Sequence, residues 1–421
     1  MFFLFWGGIG LYASRVALPI CSVAISAEME WNRQQMGLIL GVFFWGYAMT
    51  QFLAGYLSDR LGGERVIPFS SFLWSLTTLL FSQLPQTSDD HSVVYTSFVC
   101  ARFLLGVFQG FYYPSVISLM SRRVHTTERN FTHAVLNAGT HMGTLLCGSF
   151  GSYLVVNNGW RSLFALIGLL FAVWSLVTYL VMVRSRSAII SPVMIGPLEW
   201  NGDAEKEDCD FSEPSLRESN TMTVKLKERS STSKAMLLAN LVHNNSFYVI
   251  LNWCPTYFHD NYPDARSWVF NMVPWLIIFP SVLLSGCIAD RWVSKGVSVT
   301  FVRKAINTVV LVGSSGFLLL LTSIQDYYSA LFCMALALAC LGFHSSGVLL
   351  NPQDIAPMHG GKLYGVMATV GTIPGFVGVY FAGYLLETTH QWSFVFAWTA
   401  LLSLLGWLLY TKYGSSEPIF D

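Results

Sequence analysis

Ser97-Phe-Val-Cys-Ala-Arg102-Phe-Leu-Leu-Gly106-Val-Phe-Gln109-Gly110-Phe-Tyr112-Tyr113-Pro114 is apolar enough to cross a bilayer, yet it holds an arginine deep inside. On insertion scales a guanidinium at that depth costs about 2.5–3.5 kcal/mol. Arginine cannot escape the cost by shedding its proton. A carboxylate, a water-filled cavity or an anionic solute must offset it. Helical spacing puts Gln109 and Tyr113 on the same side as Arg102, with Tyr112 beside them. Arg102, Gln109 and Tyr113 are therefore candidate substrate contacts; the alternative is an arginine locked to a carboxylate in a packed interior.

Composition places the whole chain in the same setting. Of 421 residues 53% are hydrophobic and only 11% charged, and mean hydropathy is +0.50. Soluble domains average about 25% charged, so the chain reads as a polytopic membrane protein surrounded by lipid. Net charge is zero, and no nucleic-acid partner is expected. The eight cysteines form no CxxC and no spaced framework, which implies neither a disulfide scaffold nor a metal site. The opening Phe2-Phe3-Leu4-Phe5-Trp6 lacks a basic n-region and a small-residue cleavage site, so it is expected to begin a first span.

Spans need about 20 largely apolar residues. About twelve stretches qualify: 3–25, 36–57, 66–84, 93–117, 132–156, 162–183, 235–258, 268–289, 301–323, 328–350, 363–387 and 391–413. Between the sixth and seventh, residues 184–234 are polar, rich in Ser and Thr and poor in aromatics, which predicts a disordered linker. The expected architecture is an all-α membrane protein with an N-terminal half (1–183), the linker (184–234) and a C-terminal half (235–421). Ten basic residues lie in one set of short loops (Arg60, Arg65, Arg122, Arg123, Arg129, Arg291, Lys295, Arg303, Lys304, Lys362), against Arg33, Arg161 and Arg266 in the other. The positive-inside rule then puts both termini and the linker in the cytosol.

The halves repeat weakly. Gly139-Thr140-x-x-Gly143 recurs as Gly371-Thr372-x-x-Gly375, and the Gly151/Trp160 pair recurs as Gly383/Trp392, both at an offset of 232. Gly55-x-x-x-Asp59-Arg60 recurs as Gly286-x-x-x-Asp290-Arg291 at 231. Duplicated halves facing each other make a central cavity whose access can alternate between sides.

Arg15, in Leu11-Tyr12-Ala-Ser-Arg15, is a second intramembrane arginine. Two arginines near one cavity suit a polyanion, because each fork grips phosphate or carboxylate oxygens bidentately. The alternative is an arginine snorkelling to the interface. Asp and Glu are nearly absent from the apolar stretches, which favours an anionic solute. His243, among Asn240, Asn244 and Asn245, and His344 and His141 could bind substrate or sense pH, or simply fill helix contacts. Glycine pairs Gly37/Gly41, Gly106/Gly110 and Gly139/Gly143 predict close helix packing. No GxxxxGK[ST], HExxH or GxSxG occurs, so ATP hydrolysis is unsupported and no enzyme is expected.

Gly55-Tyr-Leu-Ser-Asp59-Arg60-Leu-Gly62-Gly63-Glu64-Arg65 resembles the signature loop of the major facilitator superfamily. Phe43-Phe44-Trp45-Gly46-Tyr47-x-x-Thr50-Gln51 and Asn351-x-x-Asp354-Ile355-Ala356-Pro357 resemble its organic-anion and phosphate solute carriers, family 17. Trp268-Val-Phe-Asn-Met-Val-Pro-Trp275 and Ser121-Arg-Arg-Val-x-x-x-Glu128-Arg129 look most like the vesicular nucleotide branch. The resemblance implies a major facilitator fold. It implies potential-driven nucleotide transport into secretory vesicles or lysosome-related organelles, with chloride as activator and no other cofactor. It gives substrate contacts at Arg15 and Arg102, with Tyr12 and His243 as further candidates. Gly55, Asp59, Arg60, Gly62, Arg65, Asp290, Arg291 and Asp354 would gate. The glutamate carriers of that family have histidine at the position of Leu40, glutamate at Gln109 and arginine at His243, so glutamate specificity and proton coupling are not implied here. The same residues also fit a carrier of glutamate, sialic acid or phosphate, or an anion-sensing receptor that does not transport.

Overall fold

The computed structural model describes residues 2–84, 90–123, 129–184, 216–356 and 360–418. They form twelve helical rods: α1 (Phe2–Met29), α2 (Arg33–Leu61), α3 (Gly63–Phe81), α4 (91–123), α5 (129–158), α6 (160–184), α7 (Leu216–Asn261), α8 (Ser267–Ser294), α9 (299–321), α10 (327–355), α11 (360–389) and α12 (Trp392–Tyr413). Each overlaps one of the apolar stretches read from sequence; stretches 66–84, 301–323 and 391–413 run one to three residues past the ends of α3, α9 and α12. Eight helices among the described residues are long and apolar enough to count as spans by composition. Capping side chains mark several rod ends. Asp90 accepts from the Ser92 N–H before α4, and Asp326 from the Ser329 N–H before α10. Those backbone hydrogen bonds hold both carboxyls below the usual carboxylate range.

Two expectations change. The second part of the presumed linker is helical: α7 begins at Leu216 and runs 46 residues. Leu, Lys, Glu and Arg between 224 and 229 are good helix formers, and extending a nucleated helix is cheap; residues 185–215 lie outside the described residues. Secondly, α4 is not one continuous helix. It turns at Gly110–Phe111 and resumes at Tyr112, because Pro114 offers no N–H and its ring crowds the carbonyl four residues back.

The duplication is visible in packing. In the first half α1 packs on α5, α2 on α4, and α3 on α6; in the second α7 packs on α11, α8 on α10, and α9 on α12. Across the halves α2 lies along α11, α5 along α8, and α1 along α7, again a two-fold pattern. Outward faces are greasy. Leu166, Leu169, Leu170, Val173 and Leu176 of α6 are each more than half exposed, as are Leu401 and Leu408 of α12. Such a belt is stable only against lipid.

The hydrogen bonds that join the halves among the described residues all lie toward the end away from the termini. Arg33 pairs with Asp260 at 2.7 Å, and its backbone N–H donates to Glu387 at 2.9 Å. Gln34 donates to the Tyr380 hydroxyl at 2.7 Å, Ser22 bonds Thr256 at 3.1 Å, and Asn271 donates to Ser152 at 2.8 Å. The bundle is clasped at one end.

Candidate functional site

Glycines set the site. A Cβ on Gly106 would sit 2.0 Å from the Phe43 carbonyl, and one on Gly110 would sit 2.1 Å from Thr50 Oγ1. Only hydrogen fits, so α2 and α4 touch backbone to backbone, and Phe43 is carried to the level of Arg102. Phe43 and Tyr47, one helical turn apart, stack at 5.8 Å.

Arg15 and Arg102 both converge on that ring. The Arg15 guanidinium lies 4.7 Å from the centre of Phe43, 4.7 Å from Tyr12 and 5.0 Å from Tyr47; that of Arg102 lies 5.0 Å from Phe43. Arg102 is 1% exposed and Arg15 5%. Arg102 Nη2 donates to the Arg15 carbonyl at 3.0 Å, and Arg15 Nη2 to Gln109 Oε1 at 3.5 Å. Gln109 is anchored in turn, its Nε2 donating to Ser14 Oγ at 2.8 Å and to the Leu11 carbonyl at 3.2 Å. Arg15 Nε and Arg102 Nε and Nη1 have no hydrogen-bond partner.

Neither arginine is in an ion pair among the described residues. Ring faces, carbonyls and an amide supply partial negative charge; among the described residues no full charge cancels the two guanidiniums. Two like charges on one aromatic ring, with three guanidinium nitrogens unpartnered, form a site short of an anion. The site lies where the halves meet: Phe44 packs at 4.4 Å on Tyr248 of α7, which with Tyr113 is within electrostatic reach of Arg15.

Of the residues read from sequence, Arg15, Arg102, Gln109 and Tyr12 come together here. Tyr113 packs edge-on against Tyr112, whose hydroxyl bonds the Leu4 carbonyl. His243 instead stacks on His344 within the second half, ring centres 3.6 Å apart. Phe43 and Ser14 were not singled out; the signal was the aromatic pair at 43 and 47, one turn apart and level with Arg102.

The loop residues fall at the end where the chain termini lie. Gly62 takes φ +86°, a conformation open mainly to glycine, and turns α2 into α3. Arg60 lies over the Tyr56 ring at 5.1 Å, Arg65 is exposed, and a Cβ on Gly55 would meet nothing. The Asp59 side chain lies outside the described residues. Asp290 and Arg291 are exposed at the end of α8. Asp354 is held bidentately by Arg303, at 2.8 and 3.2 Å, while Arg303 Nη1 donates to the Ser346 carbonyl at 2.6 Å. Arg303, expected as a loop charge, is thus a largely buried member of α9: the helix starts early enough to draw it in, and Asp354 meets it.

A cleft of about 720 Å³ opens at the clasped end, lined by Tyr262, Arg266, Trp268, Tyr327 and Tyr328 among others. Arg266 is exposed there, whereas the arginine cluster holds two buried cations on one ring and is the better candidate.

Two packed, duplicated six-helix halves with a charged site between them define a membrane carrier. Residues 3–379 match the Major Facilitator Superfamily profile, and the chain belongs to that superfamily. Solved structures agree in fold. A bacterial homologue of the human lysosomal transporter Spinster superposes with TM-score 0.74 at 10% identity, covering 98% of this chain and 95% of that one. A D-xylose–proton symporter superposes with TM-score 0.72 at 14% identity, covering 99% and 97%. Among characterised sequences, the voltage-gated purine nucleotide uniporter SLC17A9 of Rattus norvegicus is 35% identical over 97% of this chain and 88% of its own length. The Homo sapiens protein of the same name is 34% identical, over 97% and 90%. The chloroplastic sodium-dependent phosphate transport protein 1 of Arabidopsis thaliana is 31% identical, over 97% and 77%. The chain is a transporter of the SLC17 family.

Proposed function

We propose that this chain is a membrane-potential-driven carrier of nucleotides, ATP foremost and also ADP and GTP. It moves them from cytosol into secretory vesicles or lysosome-related organelles by alternating access, with chloride as activator. The observation that carries this reading is the pair of buried, unneutralised arginines on one aromatic ring between the halves. Similarity to relatives named as purine nucleotide uniporters supports the choice of anion. The excess of Lys and Arg at the termini's end supports cytosolic termini. On that orientation the clasped end is lumenal, and the carrier is poised to load from the cytosol.

The driving force is adequate. Each charge crossing about 100 mV gains about 2.3 kcal/mol, so an anion of about four charges gains roughly 9 kcal/mol. A hundredfold gradient costs about 2.7 kcal/mol. Voltage alone suffices, without hydrolysis or a bound cofactor.

Carriage of phosphate, glutamate, sialic acid or another anion is the second reading, favoured by the similarity to a relative named for phosphate transport. Uptake of radiolabelled ATP by purified protein in liposomes, under an imposed lumen-positive potential, separates the two. ATP, ADP and GTP should compete strongly and the other anions weakly. Uptake blocked by phosphate or glutamate and indifferent to nucleotides would reject the nucleotide assignment.

A further inference from the structure

The second half holds a polar pair that the arginine site does not explain. His243 of α7 and His344 of α10 lie face to face, ring centres 3.6 Å apart and planes 9° from parallel. Each residue is 6% exposed. His344 Nε2 lies 3.1 Å from Asn240 Oδ1. The Asn240 amide has one orientation, because its Nδ2 donates to the Met367 carbonyl of α11 at 3.0 Å. Oδ1 can therefore only accept, and His344 carries its hydrogen on Nε2. Among the described residues no carboxylate bonds either ring, and stacked cations would repel, so both imidazoles are neutral. His344 Nδ1 is then a bare lone pair, a buried hydrogen-bond acceptor with no partner. Buried polar atoms are almost always satisfied; this lone pair marks a place for a donor that the fold does not supply.

We propose that the His243–His344 stack reads the base of the transported nucleotide, with His344 Nδ1 accepting a hydrogen bond from the edge of the purine. Adenine offers its 6-amino group as donor, and guanine its N1–H and 2-amino group. A neutral acceptor suits an uncharged base, while the phosphates go to the two guanidiniums, which are always charged. The stack adds no charge of its own, in keeping with a carrier driven by potential alone. A metal ion does not fit. Imidazole lone pairs lie in the ring planes, and two nearly parallel planes cannot converge on one ion; no third His, Cys, Asp or Glu completes a set among the described residues.

The stack lies where a base would fall once the phosphates are held. Phe247 stacks on His243 with ring centres 6.3 Å apart and meets Tyr248 at 5.8 Å. Tyr248 packs on Phe44 at 4.4 Å, and Phe44 meets Phe43 at 5.2 Å. A run of rings thus leads from the stack to the platform under Arg15 and Arg102. His243 and Tyr248 are five residues apart on α7, roughly 7.5 Å along the helix, and a nucleotide likewise carries its base and its phosphates at opposite ends. Leu237, Leu241, Asn244 and Tyr248, spaced to share one face of α7, are each only half-buried, so packing does not seal the helix beside the stack. Numbering on α7 rises toward the clasp at Asp260. The stack is therefore on the side of Tyr248 nearer the chain termini, the side from which loading is proposed. A nucleotide entering phosphates first would bring them to the guanidiniums and leave its base beside His344. Only glycine at 371 lets α11 come close enough to fix Asn240, and through it the tautomer of His344: a Cβ there would sit 2.6 Å from Asn240 Nδ2.

This inference rests on nucleotide transport at the arginine site, and the test separates the two. Radiolabelled ATP uptake by purified protein in liposomes is measured at fixed potential, with unlabelled ATP or purine riboside triphosphate as competitor. The analogue keeps the purine ring, ribose and phosphates and lacks only the 6-amino group. In wild type it should compete about tenfold more weakly than ATP, the effect of one buried acceptor left unpaired. His344→Gln keeps an amide donor for Asn240 and places no acceptor where Nδ1 was. It should raise the KM for ATP about tenfold and let ATP and the analogue compete within about twofold of each other. Equal competition in wild type, or a variant that still prefers ATP, overturns the proposal. Should the variant not fold, imidazole nitrogen NMR of wild type decides: ATP should shift the His344 Nδ1 resonance and the analogue should not, and no shift with ATP overturns the proposal. Wild type that takes up no ATP rejects the nucleotide reading and the base site with it; uptake without discrimination rejects the base site alone.

Discussion

Gln109→Glu changes one atom in the arginine cluster and ought to disable it. Gln109 Oε1 is 3.5 Å from Arg15 Nη2, so the substitution sets a carboxylate against that guanidinium. At an effective dielectric of about 20, unit charges at that distance interact by about 5 kcal/mol. Desolvating the carboxylate takes back part of this, and the donors to Ser14 Oγ and the Leu11 carbonyl disappear. Measured couplings for close charge pairs begin at about 1.5 kcal/mol. An anion competing for Arg15 must overcome at least that much, which is about tenfold in apparent affinity. The assay is concentration-dependent ATP uptake at fixed potential, comparing KM of variant and wild type between pH 5.5 and 8. Paired with Arg15, the new carboxylate stays ionised across that range, so the KM of the variant should exceed that of wild type at every pH. A KM within about threefold of wild type at pH 8 would refute the view that Arg15 owes its grip to the lack of a carboxylate.

Further outcomes follow from the same geometry. Phe43→Leu removes the ring beneath both guanidiniums, each contact being worth about 0.5–2 kcal/mol, and should weaken ATP uptake about fivefold or more without unfolding; unchanged KM would count against a shared platform. Arg303→Ala strands the Asp354 carboxylate, which is 19% exposed on its side chain; partial hydration trims the usual penalty to about 2–3 kcal/mol, read as a clear fall in thermal midpoint that Asp354→Asn in the same background should partly restore. Asp260→Asn weakens the clasp to Arg33, and a cysteine introduced near Ser22 should react faster with a lumen-side thiol reagent; equal reactivity would mean that the clasp does not hold that end shut.

Much of the architecture was legible because bilayer physics writes it into composition. Runs of about 20 apolar residues mark spans whatever their partners, and all twelve contain real helices. The three glycine-anchored repeats at nearly one offset matched the two-fold packing of α1 on α5 and α7 on α11. Arg15 and Arg102 stood out because lipid makes charge conspicuous. What sequence left open depends on contacts between distant segments. Nothing local distinguishes Phe43 from neighbouring aromatics until Gly106 and Gly110 bring α4 against its backbone. The pairing of His243 with His344, 101 positions apart, needs the packing of α7 and α10. Arg303 looked like a loop charge because its partner, Asp354, arrives from α10. The start of α7 at Leu216 was missed because low aromatic content reads as disorder, although Lys, Leu and Glu extend a helix readily once one exists.

The most direct measurement is made on Arg102→Met, with potential-driven ATP uptake and thermal midpoint taken on the same preparation. A buried guanidinium that serves only the anion should be dispensable for folding. Methionine of similar length should leave the midpoint unchanged or raised, since an uncompensated charge has been removed, while uptake falls below about one hundredth of wild type. A variant that loses stability, as a structural arginine would cause, or one that still transports ATP at the normal rate, would contradict the claim that this charge exists to receive the substrate.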